Sequence, residues 1–114
     1  MKTQVTMTSR ERVLKTIRHK EPDRLPIDLG GKASTGIMAI AYDRLKKHLG
    51  IKSGEVRVFD MGQQLAEVEP EVLSRFGVDV ISLANSLGEA PEFWKPWKLP
   101  NGVKCKIPAG VDLR

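Results

Sequence analysis

A single cysteine, Cys105, rules out any disulfide within the chain, so the sequence demands no oxidising compartment. No apolar run approaches the roughly 20 residues needed to cross a bilayer. The opening stretch, Met1-Lys2-Thr3-Gln4-Val5-Thr6, lacks the apolar core of a secretory signal, and the expected location is the cytoplasm, with no membrane partner. Basic residues are not interleaved with aromatics, and no Cys/His spacing of a zinc finger occurs. The net charge of +5 and sequence pI of about 9.6 are instead spread along the chain. Several cations (Lys15, Arg18 and Lys20, then Arg44, Lys46 and Lys47) fall near expected helix C-termini, where they complement the macrodipole. No nucleic-acid partner is expected from so diffuse a charge. Internal repeats and low-complexity segments are absent as well.

What remains is a chain of 114 residues, 40% hydrophobic and 29% charged, the profile of a globular segment with a modest core. Thr8-Ser9-Arg10-Glu11 is a capping box, and it opens a helix expected over residues 8–20 with Val13, Leu14 and Ile17 as its apolar stripe. Glu21-Pro22 ends it. Leu25-Pro26-Ile27-Asp28-Leu29, closed by Gly30-Gly31, has the form of a short buried parallel strand. A second helix is expected over about residues 37–49, with Ile37, Met38, Ala41, Leu45 and Leu49 inward and Gly50 as its stop.

Val56, Val58 and Phe59 predict a short extended piece, and residues 63–67 another helical turn. Pro70 suits the first turn of a helix that buries Val72, Leu73 and Phe76 and ends at Gly77. Val78-Asp79-Val80-Ile81-Ser82-Leu83 is the second strand candidate. Beyond Pro91 the texture changes. Asn101-Gly102 signals a hairpin, with Val103, Cys105 and Ile107 alternating against Lys104 and Lys106. Trp94 and Trp97 are expected to cover this hairpin or a neighbouring part of the fold. The expected organisation is a flexible start over residues 1–7, an α/β unit over residues 8–90, and a hairpin extension over residues 91–114. The order of helices and strands is that of a parallel sheet with crossover helices, but two convincing strands leave it unfinished.

Three stretches resemble the uroporphyrinogen decarboxylase superfamily. Ser9-Arg10-Glu11-Arg12-Val13-Leu14 through His19-Lys20-Glu21-Pro22-Asp23-Arg24-Leu25-Pro26-Ile27 is similar to its opening helix and first barrel strand. Arg57-Val58-Phe59-Asp60-Met61-Gly62-Gln63-Gln64-Leu65-Ala66 resembles the decarboxylase-like, corrinoid-methyltransferase-like subgroup. Arg75-Phe76-Gly77-Val78-Asp79 is similar to the turn that enters the next strand. The resemblance implies an α/β fold, the N-terminal and incomplete part of a (β/α)₈ TIM barrel, with the hairpin appended near the C-terminus. A whole barrel typically takes about 250 residues, so this portion is expected to be inactive alone.

The same resemblance implies the chemistry. Decarboxylases grip the propionates of a tetrapyrrole with two arginines past the first strand, where this sequence has Gly31 and Thr35. Their essential aspartate after the second strand corresponds to Ser86. Neither replacement supplies a guanidinium fork or a carboxylate. Porphyrin-pathway decarboxylation is therefore the lesser alternative, as is a non-catalytic, self-associating half-barrel. Corrinoid-dependent methyl transfer is the better match. In that branch a zinc ion, held by His and Cys later in the barrel than Arg114, activates a thiol, and a corrinoid protein and a small methyl donor are partners. The remaining partner implied is the missing part of the barrel, on another polypeptide or a second copy. This chain itself is expected to bind no metal and no cofactor, and no catalytic residue can be placed on it.

Candidate substrate contacts lie at the end of the first strand and in the loop after it: Asp28, Gly30, Gly31, Lys32, Ser34 and Thr35. A glycine-rich turn feeding a helix N-terminus favours anions, although no Lys-Ser/Thr pair makes this a Walker loop. Asp28 either faces the barrel mouth or caps the following turn through its own side chain. Ser34 or Thr35 alternatively serves only as helix N-cap. Asp60, Gln63 and Gln64 either line the barrel or steady a loop. His19 and His48 are expected at helix ends, and Cys105 as a small buried side chain.

Overall fold

The computed structural model describes residues 5–83 and 87–114. The capping box forms as expected: Thr8 Oγ1 accepts from Glu11 N–H at 3.2 Å, and Glu11 Oε2 accepts from Thr8 N–H at 2.8 Å. Helix α1 spans Ser9–Ile17 and stops short of residue 20. His19 takes a left-handed backbone at φ 58°, which lets Lys20 N–H close back on the Lys15 carbonyl in the last turn at 3.0 Å. The expected stripe is not what α1 buries. Arg12 is its one buried side chain, while Leu14 and Ile17 are exposed.

Arg12 explains that inversion. Its guanidinium donates to both carboxylate oxygens of Asp23, at 2.7 and 3.0 Å, and to Asp79 Oδ1 at 2.5 Å. Asp79 also accepts from Arg24, from Ser9 Oγ at 2.8 Å and from Ile27 N–H at 2.8 Å. Asp23 takes the amides of Thr6 and Met7, both at 2.9 Å. Four charges thus tie together the N-terminal segment, α1, residues 23–27 and residue 79. Arg12 holds the Asp23 carboxyl well below the usual carboxylate range. Burial pushes Asp79 upward, but hydrogen bonds from Ile27, Ser9, Arg24 and Arg12 outweigh it and hold its pKa at about 2.

Helix α2 spans Ala39–Leu49 and begins two residues later than the pattern predicts. Ile37 and Met38 are drawn away by backbone pairing: Ile37 O accepts from Ala66 N–H at 2.9 Å, and Ala39 N–H donates to Gln64 O at 2.8 Å. The inner face is rotated as well. Ala39, Tyr42 and Lys46 are buried, and Met38 and Ala41 are exposed, because Tyr42 and Lys46 direct their polar ends to a common carboxylate. Gly50, at φ 71°, ends the helix as expected.

Strand β1 (Val58–Asp60) pairs antiparallel with β2 (Leu65–Ala66), with an irregular register between Val58 and Asp60. The helical turn expected at residues 63–67 is therefore replaced by a tight turn leading into the strand Leu65–Ala66. Asp60 Oδ1 accepts from Gln63 N–H at 3.0 Å and Gln64 adopts φ 54°, which turns the chain back on itself. Helix α3 (Pro70–Phe76) carries proline in its first turn and a left-handed Gly77 at its end. It buries Val72 but leaves Phe76 partly exposed. Strands β3 (Trp94–Lys98) and β4 (Lys104–Pro108) form the hairpin, closed by Leu99 N–H to Val103 O at 2.9 Å.

The core gathers around α2, β1, β2 and β4. Tyr42, Val58, Val72 and Ile107 are fully buried there, with Ala39, Ile51, Val56, Ala66, Leu99 and Cys105 around them. The hairpin therefore shares this core, and β4 meets the chain before β1 through Lys106 N–H to Val56 O at 2.8 Å.

Residues 25–29 and 78–83, expected as buried parallel strands, form neither a ladder nor a buried layer. One backbone bond joins them, Asp79 N–H to Ile27 O at 2.9 Å. Arg24 reaches the Gly77 carbonyl, and Gly31 lies against Val80, so the two segments advance in the same direction. Val80, Ile81 and Leu83 make no hydrogen bond among the described residues. Leu25 is 80% exposed, Ile81 71% and Leu83 94%. A strand is cooperative with its neighbours, and these two segments have only each other. The described residues therefore form a mixed α/β fold of three helices and two small antiparallel sheets, with no closed barrel.

Candidate functional site

The site is a cleft of about 450 Å³ at the forward ends of those two segments. Leu29 and Gly30 line it from one, Val80, Ile81 and Ser82 from the other. Phe59 of β1, Val68, and Leu73 of α3 supply further apolar wall, and Glu55, Arg57, Glu67, Glu69 and Glu89 the charge.

Glu69 is the anchor of one wall. As the residue just before α3, it is fixed where the chain turns into Pro70. Its Oε1 accepts from Tyr42 Oη at 2.9 Å and from Lys46 Nζ at 2.5 Å, and its backbone N–H donates to Tyr42 Oη at 2.9 Å. Its Oε2 accepts from Glu55 N–H at 3.2 Å. Lys46 also donates to the Ser53 carbonyl at 2.8 Å. Tyr42 and Lys46 sit four residues apart, so one face of α2 presents both to the same acid. Burial pushes the Tyr42 phenol well above its usual pKa, so it remains a donor at neutral pH.

Arg57 holds the other wall. Its Nε donates to Glu55 at 2.9 Å and its Nη1 to Glu89 at 2.7 Å, and its guanidinium lies 5.2 Å from the Trp94 ring centroid. Burial opposes the charge of Arg57, but Glu89 and Glu55 outweigh it and raise its pKa. Trp94 in turn donates its indole N–H to the Gly88 carbonyl at 2.9 Å, which ties the hairpin to the chain ahead of it. Chemically, the cleft offers a guanidinium and apolar surface beside the carboxylates of Glu55, Glu69 and Glu89, which are engaged in holding its walls.

Of the six sequence-derived contacts, the structure brings only Gly30 to this cleft. Its left-handed backbone, φ 82°, lets the chain pass Val68 at a distance a side chain would not permit. Asp28 Oδ1 accepts from Gly31 N–H at 2.9 Å, so the aspartate caps its own turn. Lys32, Ser34 and Thr35 belong to a short 3₁₀ turn, in which Thr35 Oγ1 donates to the Lys32 carbonyl at 3.1 Å. Lys32 and Ser34 are exposed, and the N-terminus of α2 is at Met38, so neither Ser34 nor Thr35 caps that helix. Asp60 steadies the turn between β1 and β2. Ser86 lies outside the described residues.

His19 and His48 are exposed, and Cys105 is a buried thiol whose pKa burial raises. Among the described residues, no group of three or more His, Cys, Asp and Glu side chains is placed to hold a metal ion. No helix among them is long and apolar enough to cross a membrane.

Sequence reasoning missed Arg57, Glu69, Tyr42 and Lys46 as wall-building residues. The Tyr42/Lys46 spacing was a usable signal, whereas Glu69 becomes their partner only through the fold. No protein-family model, no curated protein and no solved structure matches the chain.

Proposed function

We propose that the chain is the N-terminal portion of a (β/α)₈-barrel protein of the uroporphyrinogen decarboxylase superfamily, of the corrinoid-dependent methyltransferase type. It requires further barrel strands before it is active. One observation carries this reading. Residues 25–29 and 78–83 run side by side in one direction, yet expose Leu25, Ile81 and Leu83 to solvent. Two parallel segments with bare apolar side chains are what the first staves of a barrel would be without their neighbours. Barrel enzymes place their chemistry at the C-terminal ends of the strands, and the cleft lies at that end of both segments. Gly31 and Thr35 at the positions of the propionate-gripping arginines favour methyl transfer over porphyrinogen decarboxylation.

Two measurements test the proposal. Light scattering on the chain after size exclusion should show self-association, and a monomer that melts cooperatively would count against it. Once a polypeptide completing the barrel is added, zinc-dependent methyl transfer from a corrinoid protein to a thiol is expected. A completed barrel that is inert towards corrinoid and zinc would remove the methyltransferase assignment.

A further inference from the structure

The hairpin carries a second feature, on the lysine-bearing face of its two strands. Its register sets Lys98 directly opposite Lys104 and Pro96 opposite Lys106. Cross-strand partners share a face, and residues two apart along a strand share it too, so Lys98, Lys104 and Lys106 project together. All three are exposed or half-exposed, and none forms an ion pair among the described residues. Like charges directly opposite each other destabilise a hairpin. The nearest strand neighbour, Arg57, bridges to Lys106 and already occupies Glu55 and Glu89. A groove of about 520 Å³ adjoins β4, reached by Lys104 of the hairpin and by the equally unpaired Lys52 in the loop after α2; its two carboxylates, Asp43 and Glu55, are already paired with Lys47 and Arg57. That is the size of a small-molecule site.

We propose that this face and groove bind a chain of adjacent phosphates. Lysines are compact point charges suited to phosphate, and four of them here lack an internal counter-ion. This face of the strands offers bases no exposed ring to stack on. The aromatic side chain on this face of the strands, Trp94, is buried under Arg57. A phosphate chain therefore fits better than a single-stranded nucleic acid, which relies on exposed rings.

The test is calorimetric titration of the chain with sodium tripolyphosphate, without magnesium and at low ionic strength. Saturable binding that weakens as salt is added is expected. Lys98→Gln, Lys104→Gln and Lys106→Gln should each weaken it by up to about fivefold, and the triple variant should abolish it. Lys20→Gln, near the end of α1, should leave it unchanged. Melting temperatures of the glutamine variants should match or exceed the parent's, since repulsion is relieved, which separates lost binding from lost folding. A nucleoside triphosphate binding more tightly than tripolyphosphate would identify a nucleotide tail as the source, and equal affinity a free polyphosphate. No binding at low salt, unchanged affinity in the triple variant, or preference for a single-stranded oligonucleotide would each overturn the proposal.

Discussion

Gly50 and Gly54 hold nearly the same left-handed backbone, φ 71° and φ 70°, in very different surroundings. A Cβ on Gly50 would meet open space, whereas one on Gly54 would overlap Glu69 Oε2. Glu69 cannot simply swing aside, because Tyr42 and Lys46 hold its other oxygen. Gly50→Ala is expected to cost about 1 kcal/mol, the conformational penalty alone. Gly54→Ala should cost about 2–4 kcal/mol, since it adds the loss of buried hydrogen bonds to that penalty. Urea denaturation of the two variants measures the difference, and equal losses would mean that the Glu69 wall yields freely. Asp79 supports a second prediction at this scale. Its pKa of about 2 lies below the ordinary value for aspartate, so the ionised form is stabilised by folding. That contribution is complete above about pH 4, the unfolded-state value, and is lost as pH falls through about 2. Tryptophan-monitored melting should therefore decline over this window, and Asp79→Asn should lower stability at neutral pH while flattening the acid decline.

The hairpin is the element on which sequence and structure agree best, and it is also more deeply involved than a terminal extension would be. Its turn and alternation follow from local chemistry: Gly102 takes φ 86°, and Cys105 and Ile107 point inward while Lys104 points out. Ile107 packs fully buried in the same cluster as Tyr42 and Val58. Ile107→Val is expected to cost about 1 kcal/mol and Ile107→Ala about 3–4 kcal/mol. Both should lower a single transition seen by tryptophan fluorescence and by helical circular dichroism. If Ile107→Ala melted the fluorescence signal alone, the hairpin would be a separate unit. Helix α1 shows the opposite relation. Its cap was readable from Thr8 and Glu11, but its buried face was not, because an ion-paired arginine took the place that hydrophobic periodicity assigned to Val13, Leu14 and Ile17.

At the scale of the molecule, the radius of gyration is 16.0 Å, against about 13 Å for a compact domain of this length. The core occupies one part of this extended body, around α2 and the hairpin. The segments expected to form its central sheet lie at its margin, where Leu29 packs against the core and the Arg12, Arg24, Asp23 and Asp79 network ties the rest together. Exposed Leu25, Ile81 and Leu83 make that region the expected contact in self-association. Ile81→Thr combined with Leu83→Glu should shift the light-scattering mass toward the monomer and leave the melting temperature within a few degrees of the parent. An unchanged mass would place the contact on another surface.

The sequence by itself determined what depends on a few adjacent residues: the capping box of α1, the glycine stops after α2 and α3, the proline start of α3 and the Asn-Gly hairpin. Each is a local hydrogen-bonding or steric requirement, satisfied within one turn of chain. The tertiary structure alone decided which faces became buried and which acids met which bases. Leu65–Ala66, within residues 63–67, became a strand because β1 offered a pairing edge, and residues 25–29 and 78–83 did not become strands because nothing pairs beyond them among the described residues. Glu69 found Tyr42 and Lys46, and Asp79 found Arg12 and Arg24, across long stretches of chain. Side chains so far apart in sequence share a site only after folding, when burial makes an unpaired charge too costly to leave.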